Sequence, residues 1–269
     1  MMTFSDKWEV DAISFKSRLL VGTGRFANLE KTKRSIELCD PSFVTVAIRR
    51  LETQITEKEQ GSLLNTINWK RIWMLPNTAG SKTPDEAIRL SFLGREIAKS
   101  LGQENNNFIK LEVIADEKYL MPDPLGTVKA ADYLIKKGFK VFPYINSDPI
   151  LACHLEELGC ATLMPLGSAI GSNQGIKNLE NIKIIIEQAN LPVIIDAGIG
   201  KPSDASKAME IGAEAVLINT AIASAERPEL MAEAMKYAVI AGRLAYIANP
   251  YSNPINKADR SSPLKGIPF

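Results

Sequence analysis

Eight short apolar runs, each followed by a longer stretch of helical pattern, constrain this chain more than any other feature. The runs are Arg18–Gly22, Phe43–Ile48, Ile72–Pro76, Phe108–Ile114, Lys140–Ile145, Ala161–Leu166, Pro192–Ala197 and Ala215–Asn219. They are near-continuous and rich in Val and Ile, as parallel strands buried on both faces are. Parallel neighbours need a crossover, and the intervening helical stretches supply one each time. Thr83-Pro84-Asp85-Glu86 combines an N-cap, proline at N1 and glutamate at N3. Asp123-Pro124 and Asp148-Pro149 repeat the cap-then-proline signature. Gly138, Gly159 and Gly212 stand where helices should end. Eight such units in 269 residues predict an α/β fold, a single (β/α)8 TIM barrel over residues 1–269. An irregular tail is expected over 249–269, which carries four prolines; it is either mobile or a strap on the barrel. The competing architecture is a doubly wound open sheet. Against it, Val21-Gly-Thr-Gly24 lacks the third glycine and the later acid of a dinucleotide turn.

Charge excludes some partners. There are 32 basic and 31 acidic side chains, scattered, so neither nucleic acid nor a charged tail is indicated. No run of 18 apolar residues exists, which predicts no membrane span. Met1 to Val10 lacks the apolar core of a signal segment. Cys39, Cys153 and Cys160 fit no zinc template and read as packed, reduced thiols. His154, the only histidine, sits in the helical stretch Pro149–Leu158, away from any glycine-rich strand end. A multi-histidine metal site is therefore excluded, and no motif asks for a cofactor or metal. Acid–base work falls mainly to carboxylates, lysine or tyrosine.

In a barrel of this kind, ligands bind at the C-terminal strand ends. The sharpest feature there is Phe108-Ile-Lys-Leu-Glu-Val-Ile114. Side chains alternate along a strand, so Ile109, Leu111 and Val113 face the helices while Lys110 and Glu112 face the barrel interior. Burial pulls a lysine pKa down; a fall from about 10.4 to about 7.4 makes near half the amine neutral and nucleophilic at that pH. Glu112 could then move protons during carbinolamine loss. The alternative is a buried Lys–Glu ion pair that only fills the barrel. A second feature is glycine at the last two strands, in Asp196-Ala-Gly-Ile-Gly200 and Asn219-Thr-Ala221. Barrels commonly bind phosphate there, and tight turns without a ligand are the alternative. Gly167-Ser-Ala-Ile-Gly-Ser-Asn-Gln-Gly175 adds a polar loop. Phosphate plus a carbonyl trapped by lysine implies a phosphorylated ketose or aldose.

These residues resemble the bacterial and plastid thiazole synthase family over nearly the whole chain. The resemblance runs from Leu20-Val-Gly-Thr-Gly-Arg-Phe26 to Ser262-Pro-Leu-Lys-Gly266. It is carried by Leu75-Pro-Asn-Thr-Ala-Gly80, Ile109-Lys-Leu-Glu-Val-Ile114, Leu120-Met-Pro-Asp-Pro124, Met164-Pro-Leu-Gly167, Ile170-Gly-Ser-Asn-Gln-Gly175 and the two glycine and asparagine strand ends. Each motif is modest alone; their order and spacing are specific. Ala169 stands where many members have proline. The resemblance implies condensation of 1-deoxy-D-xylulose 5-phosphate, dehydroglycine and sulfur from the thiocarboxylate of a small sulfur carrier protein. It implies Lys110 as the Schiff-base residue, Glu112 and Asp196 as acid–base carboxylates, and Gly171, Ala197, Gly198, Asn219 and Thr220 as the sugar-phosphate site. It further implies a homotetramer, a carrier protein docking near the C-terminal barrel face, a companion enzyme that forms dehydroglycine, and a bacterial cytosol or plastid stroma. Two other readings stand beside it: a different Schiff-base barrel, of aldolase or pyridoxal-phosphate synthase type, and a non-catalytic phosphate-binding barrel.

Overall fold

The computed structural model describes residues 6–24, 26, 28–51 and 63–248. The expected tail, 249–269, lies outside the described residues. A two-stranded antiparallel hairpin comes first, β1 (Trp8–Val10) and β2 (Ile13–Phe15). Eight parallel strands follow: β3 (Leu19–Gly22), β4 (Phe43–Ala47), β5 (Trp73–Asn77), β6 (Phe108–Leu111), β7 (Lys140–Ile145), β8 (Met164–Pro165), β9 (Ile194–Asp196) and β10 (Ala215–Ile218). Their order is β8-β7-β6-β5-β4-β3-β10-β9. Single bridges from Leu163 to Val193 and from Leu166 to Asp196 join β8 to β9 and close the ring. The barrel expected from the eight repeats is therefore present, and the open sheet is not.

The helices are α1 (Leu29–Cys39), α2 (Leu63–Thr66), α3 (Pro84–Ser100), α4 (Pro124–Lys136), α5 (Pro149–Leu158), α6 (Leu179–Gln188), α7 (Pro202–Glu210), α8 (Thr220–Ala223) and α9 (Pro228–Ile247). Their starts follow the local signals. The Glu86 backbone N–H donates to Thr83 Oγ1, and those of Leu125 and Ile150 donate to Asp123 and Asp148. Each cap satisfies a donor that the first turn leaves open. None of the described helices is long and apolar enough to cross a membrane.

Alternation sorts the strand side chains into two cores. Outward residues such as Ile109, Leu111 and Val113 pack with Ala130, Ala131 and Leu134 of α4. Inward residues at the N-terminal ends make an aromatic floor. Phe43, Phe108 and Phe142 meet edge-on, with centroids 5.3–5.6 Å apart. Trp8 and Phe15 of the hairpin join the same cluster and stop that end of the barrel. One layer above, on the same inward face, the side chains turn polar.

Several expectations need correction. The hairpin was not foreseen; its turn is Asp11-Ala12, with φ of 51° and 62°, where glycine or asparagine usually announces such a turn. The strand expected to run from Phe108 to Ile114 ends at Leu111. Past that point the Glu112 backbone bonds the Thr78 hydroxyl in both directions instead of a neighbouring strand. The expected run Ala161–Leu166 contracts to Met164–Pro165, flanked by single bridges. Cys39 and Cys160 are buried, and burial pushes both thiols up to about 12. Cys153, expected to be packed, is exposed on α5.

Candidate functional site

Lys110 enters the barrel from β6, in register between Asn77 of β5 and Phe142 of β7. Glu112 follows two residues later on the same face, and Asp196 points inward from the end of β9. The three side chains meet: Lys110 Nζ lies 3.0 Å from Glu112 Oε1 and 2.5 Å from Asp196 Oδ2. All three are buried, at 3–5% exposure, so little solvent screens them. Asn77 Nδ2 donates to Glu112 Oε1 at 2.9 Å, while Asn77 Oδ1 accepts from the Ala79 N–H. The glutamate is thus held from two sides.

The electrostatics correct the expectation of a neutral lysine. Burial does pull the Lys110 pKa down, but Asp196 and Glu112 together outweigh it and hold the amine above its usual value. The resting residue is an ammonium between two carboxylates. Burial pushes Asp196 up from the usual carboxylate range, against the opposing pull of Lys110. The Tyr144 ring, inward from β7, centres 5.5 Å from Lys110 Nζ. Burial, then Asp196 and Glu112, push its phenol upward, so it stays protonated.

The glycine-rich ends converge on the same space. Gly171, Ala197, Gly198, Asn219 and Thr220 line one cavity of about 190 Å³ together with Lys110, Glu112 and Asp196. Every site residue expected from sequence is thereby brought to the C-terminal mouth of the barrel. Ala197 adopts φ 59° and Gly198 φ 79°, so the chain after Asp196 turns through the left-handed region. Only glycine fits at 198: a Cβ there would sit 2.1 Å from Ser168 Oγ and 2.5 Å from the Ser168 nitrogen. Asn219, with its amide nitrogen turned toward them, donates to the carbonyls of Gly22 and Gly24 at 3.2 and 2.8 Å. This ties the end of β10 to the end of β3.

A larger cavity, about 720 Å³, lies at the other end of the barrel between β2 and α9, lined by residues such as Arg18, Trp73 and Arg243. It holds none of the triad, so the smaller cavity is the candidate site. His154 is exposed on α5 and does not line it. Sequence reading missed three neighbours of the triad. Asn77 and Tyr144 had a usable signal, since each lies an even number of residues from an inward aromatic, Trp73 or Phe142. Arg50 had none; it stands beyond the end of β4, where strand alternation no longer applies.

The chain is similar to known proteins along nearly its whole length. The family model of thiazole biosynthesis protein ThiG matches residues 9–263. A thiazole synthase from Phaeodactylum tricornutum is 56% identical over 262 residues, 97% of each chain. A bifunctional protein ThiO/ThiG from Nostoc sp. is 56% identical over 94% of this chain, which spans 38% of that protein. Among solved structures, that of the Amycolatopsis orientalis BexX/CysO complex superposes with a TM-score of 0.76 at 31% identity, covering 91% of this chain and 97% of that one. The chain belongs to the thiazole biosynthesis protein ThiG family, whose members are thiazole synthases of thiamine biosynthesis.

Proposed function

We propose that this enzyme builds the thiazole ring from 1-deoxy-D-xylulose 5-phosphate, dehydroglycine and the thiocarboxylate sulfur of a small carrier protein, holding the ketose as a Schiff base on Lys110. The observation that carries this reading is the buried Lys110 amine, 3.0 Å from Glu112 and 2.5 Å from Asp196 at the cavity wall.

The triad suits each proton move. As the ketose displaces water, Lys110 gives a proton to Asp196, whose carboxyl burial already disfavours as an anion. The neutral amine attacks the ketone carbon, forming the C–N bond as the carbonyl pair moves to oxygen. Glu112, steadied by Asn77, relays a proton from that nitrogen to the oxygen. Asp196 then returns its proton to the hydroxyl, which leaves as water. A protonated imine remains on Lys110, and both carboxylates are ionised again. The backbone around Gly171, Ala197, Gly198, Asn219 and Thr220 seats the phosphate, where the left-handed turn brings peptide groups against the ligand.

The carrier protein docks at the C-terminal barrel face, where the cavity opens. The BexX/CysO complex, to which this chain is similar, supports a protein partner. A companion enzyme supplies dehydroglycine, in keeping with the joined ThiO and ThiG of the Nostoc relative. The active assembly is a homotetramer. A bacterial cytosol or plastid stroma suits a chain whose relatives come from Phaeodactylum tricornutum and from Nostoc sp..

Borohydride trapping tests the central step. The protein is incubated with 1-deoxy-D-xylulose 5-phosphate and reduced, and peptide masses are read. The expected result is a reduced sugar-phosphate adduct on Lys110. No adduct on folded protein would make the triad a structural ion-pair cluster.

A further inference from the structure

The ring-forming reaction brings two anionic small molecules into one cavity, and the reading above seats only the phosphate. The carboxylate of dehydroglycine needs its own partner, because both substrates are present together. The inner layer offers it only Lys110, which Glu112 and Asp196 already flank. Among the described residues lining the cavity, Arg50 is the only cation besides Lys110. Among the described residues no carboxylate pairs with it, and the hydrogen bond its side chain makes to them runs from Nη1 to the Thr23 carbonyl at 3.2 Å. That bond orients the guanidinium, and no other described residue takes its remaining N–H groups. Arg50 is exposed, at the cavity mouth, where a substrate arriving after the ketose would be met.

Its place in the ring favours the second substrate. Arg50 follows β4, two strands from Lys110 in one direction. The glycine turn after Asp196 follows β9, three strands from Lys110 in the other. A ketose stretched from Lys110 to that turn leaves the β4 side open. A guanidinium there offers parallel N–H groups that match a carboxylate in a fork, which lysine cannot do.

We infer that Arg50 binds the carboxylate of dehydroglycine and positions its imine against the Lys110-bound ketose. This rests on the Schiff-base reading above. The competing partner is the ketose phosphate, because a Cβ at Gly24 would lie 3.5 Å from Arg50 Nη2 and 2.9 Å from the Asn219 amide.

The test uses Arg50→Gln and Arg50→Lys in the full chain. Two readouts are taken: half-saturation of borohydride trapping by the ketose phosphate alone, and KM for dehydroglycine generated from glyoxylate and ammonium during turnover with the thiocarboxylated carrier. The inference expects ketose half-saturation unchanged in Arg50→Gln and dehydroglycine KM raised by about 10- to 100-fold, the range for losing a charged hydrogen bond. Arg50→Lys should recover part of that loss. A raised ketose half-saturation would assign Arg50 to the phosphate, and no change in either value would leave it a surface residue; both overturn the inference. Failure of the wild-type protein to trap ketose would instead overturn the Schiff-base reading.

Discussion

At the scale of single residues, the triad trades stability against readiness for chemistry. Lys110 is held above the usual lysine range, so its contribution to stability is full below that range and is lost only as pH climbs through its raised value. Near neutrality the ammonium is therefore intact. Lys110→Ala would leave Glu112 and Asp196 facing each other, buried, with no counter-charge. Removing one partner of a buried pair costs about 3–5 kcal/mol. That deficit should shrink in acid. Without the ammonium, Asp196 loses the pull that opposes its burial and binds its proton more tightly in the folded state than in the unfolded one, so the deficit narrows as pH falls. Thermal melts of the variant and the native protein at about pH 5 and about pH 7.5 would check this, with the larger gap at the higher pH. An equal gap at both would mean that the carboxylates are not coupled through Lys110. Trapping should be absent in the same variant at either pH.

At the scale of elements, position overrides propensity. Gly94 sits in the middle of α3, where replacement by alanine ordinarily gains up to about 1 kcal/mol. Here a Cβ would lie 2.6 Å from Pro76 Cβ and 3.2 Å from Ile48 Cγ1. Pro76 belongs to β5 and cannot swing aside, and overpacking of this kind costs about 1–3 kcal/mol. Gly94→Ala is expected to lower the denaturant midpoint; a rise would show that α3 can slide outward on the barrel. Such a slide would also be felt at Asn77, the residue after Pro76, and through it at Glu112.

At the scale of the whole molecule, the barrel keeps its two ends apart. Trp8 is buried between Phe15 and Phe43, with its indole N–H donating to the Ser17 carbonyl at 2.7 Å. Trp8→Ala should cost about 3–5 kcal/mol, as large aromatic deletions in cores do. The loss is at the end opposite the cavity. A marked drop in Tm with unchanged half-saturation for ketose trapping is the expected outcome; a weakened half-saturation would show that the floor shapes the polar layer above it.

Much of this was readable in one dimension. Periodicity alone located all eight barrel strands, because a strand buried on both faces is apolar at nearly every position. Alternation placed Lys110 and Glu112 on one face, because the side-chain period of a strand is two. The cap signals at Thr83, Asp123 and Asp148 were readable because a cap is a contact within three residues. What the chain order could not express was closure. Asp196 stands 86 positions from Lys110 in sequence, yet 2.5 Å from it in the ring, and that contact reverses the sign of the lysine's pKa shift. Burial by itself would have lowered the Lys110 pKa; the two carboxylates that the closed barrel sets around it hold it above its usual value. The same closure sets Arg50, which no periodicity marks, at the mouth of the cavity. Sequence alone determined which side chains face inward, since local backbone geometry decides that; the tertiary structure decided which of them meet, since only the ring brings distant strand ends to one point.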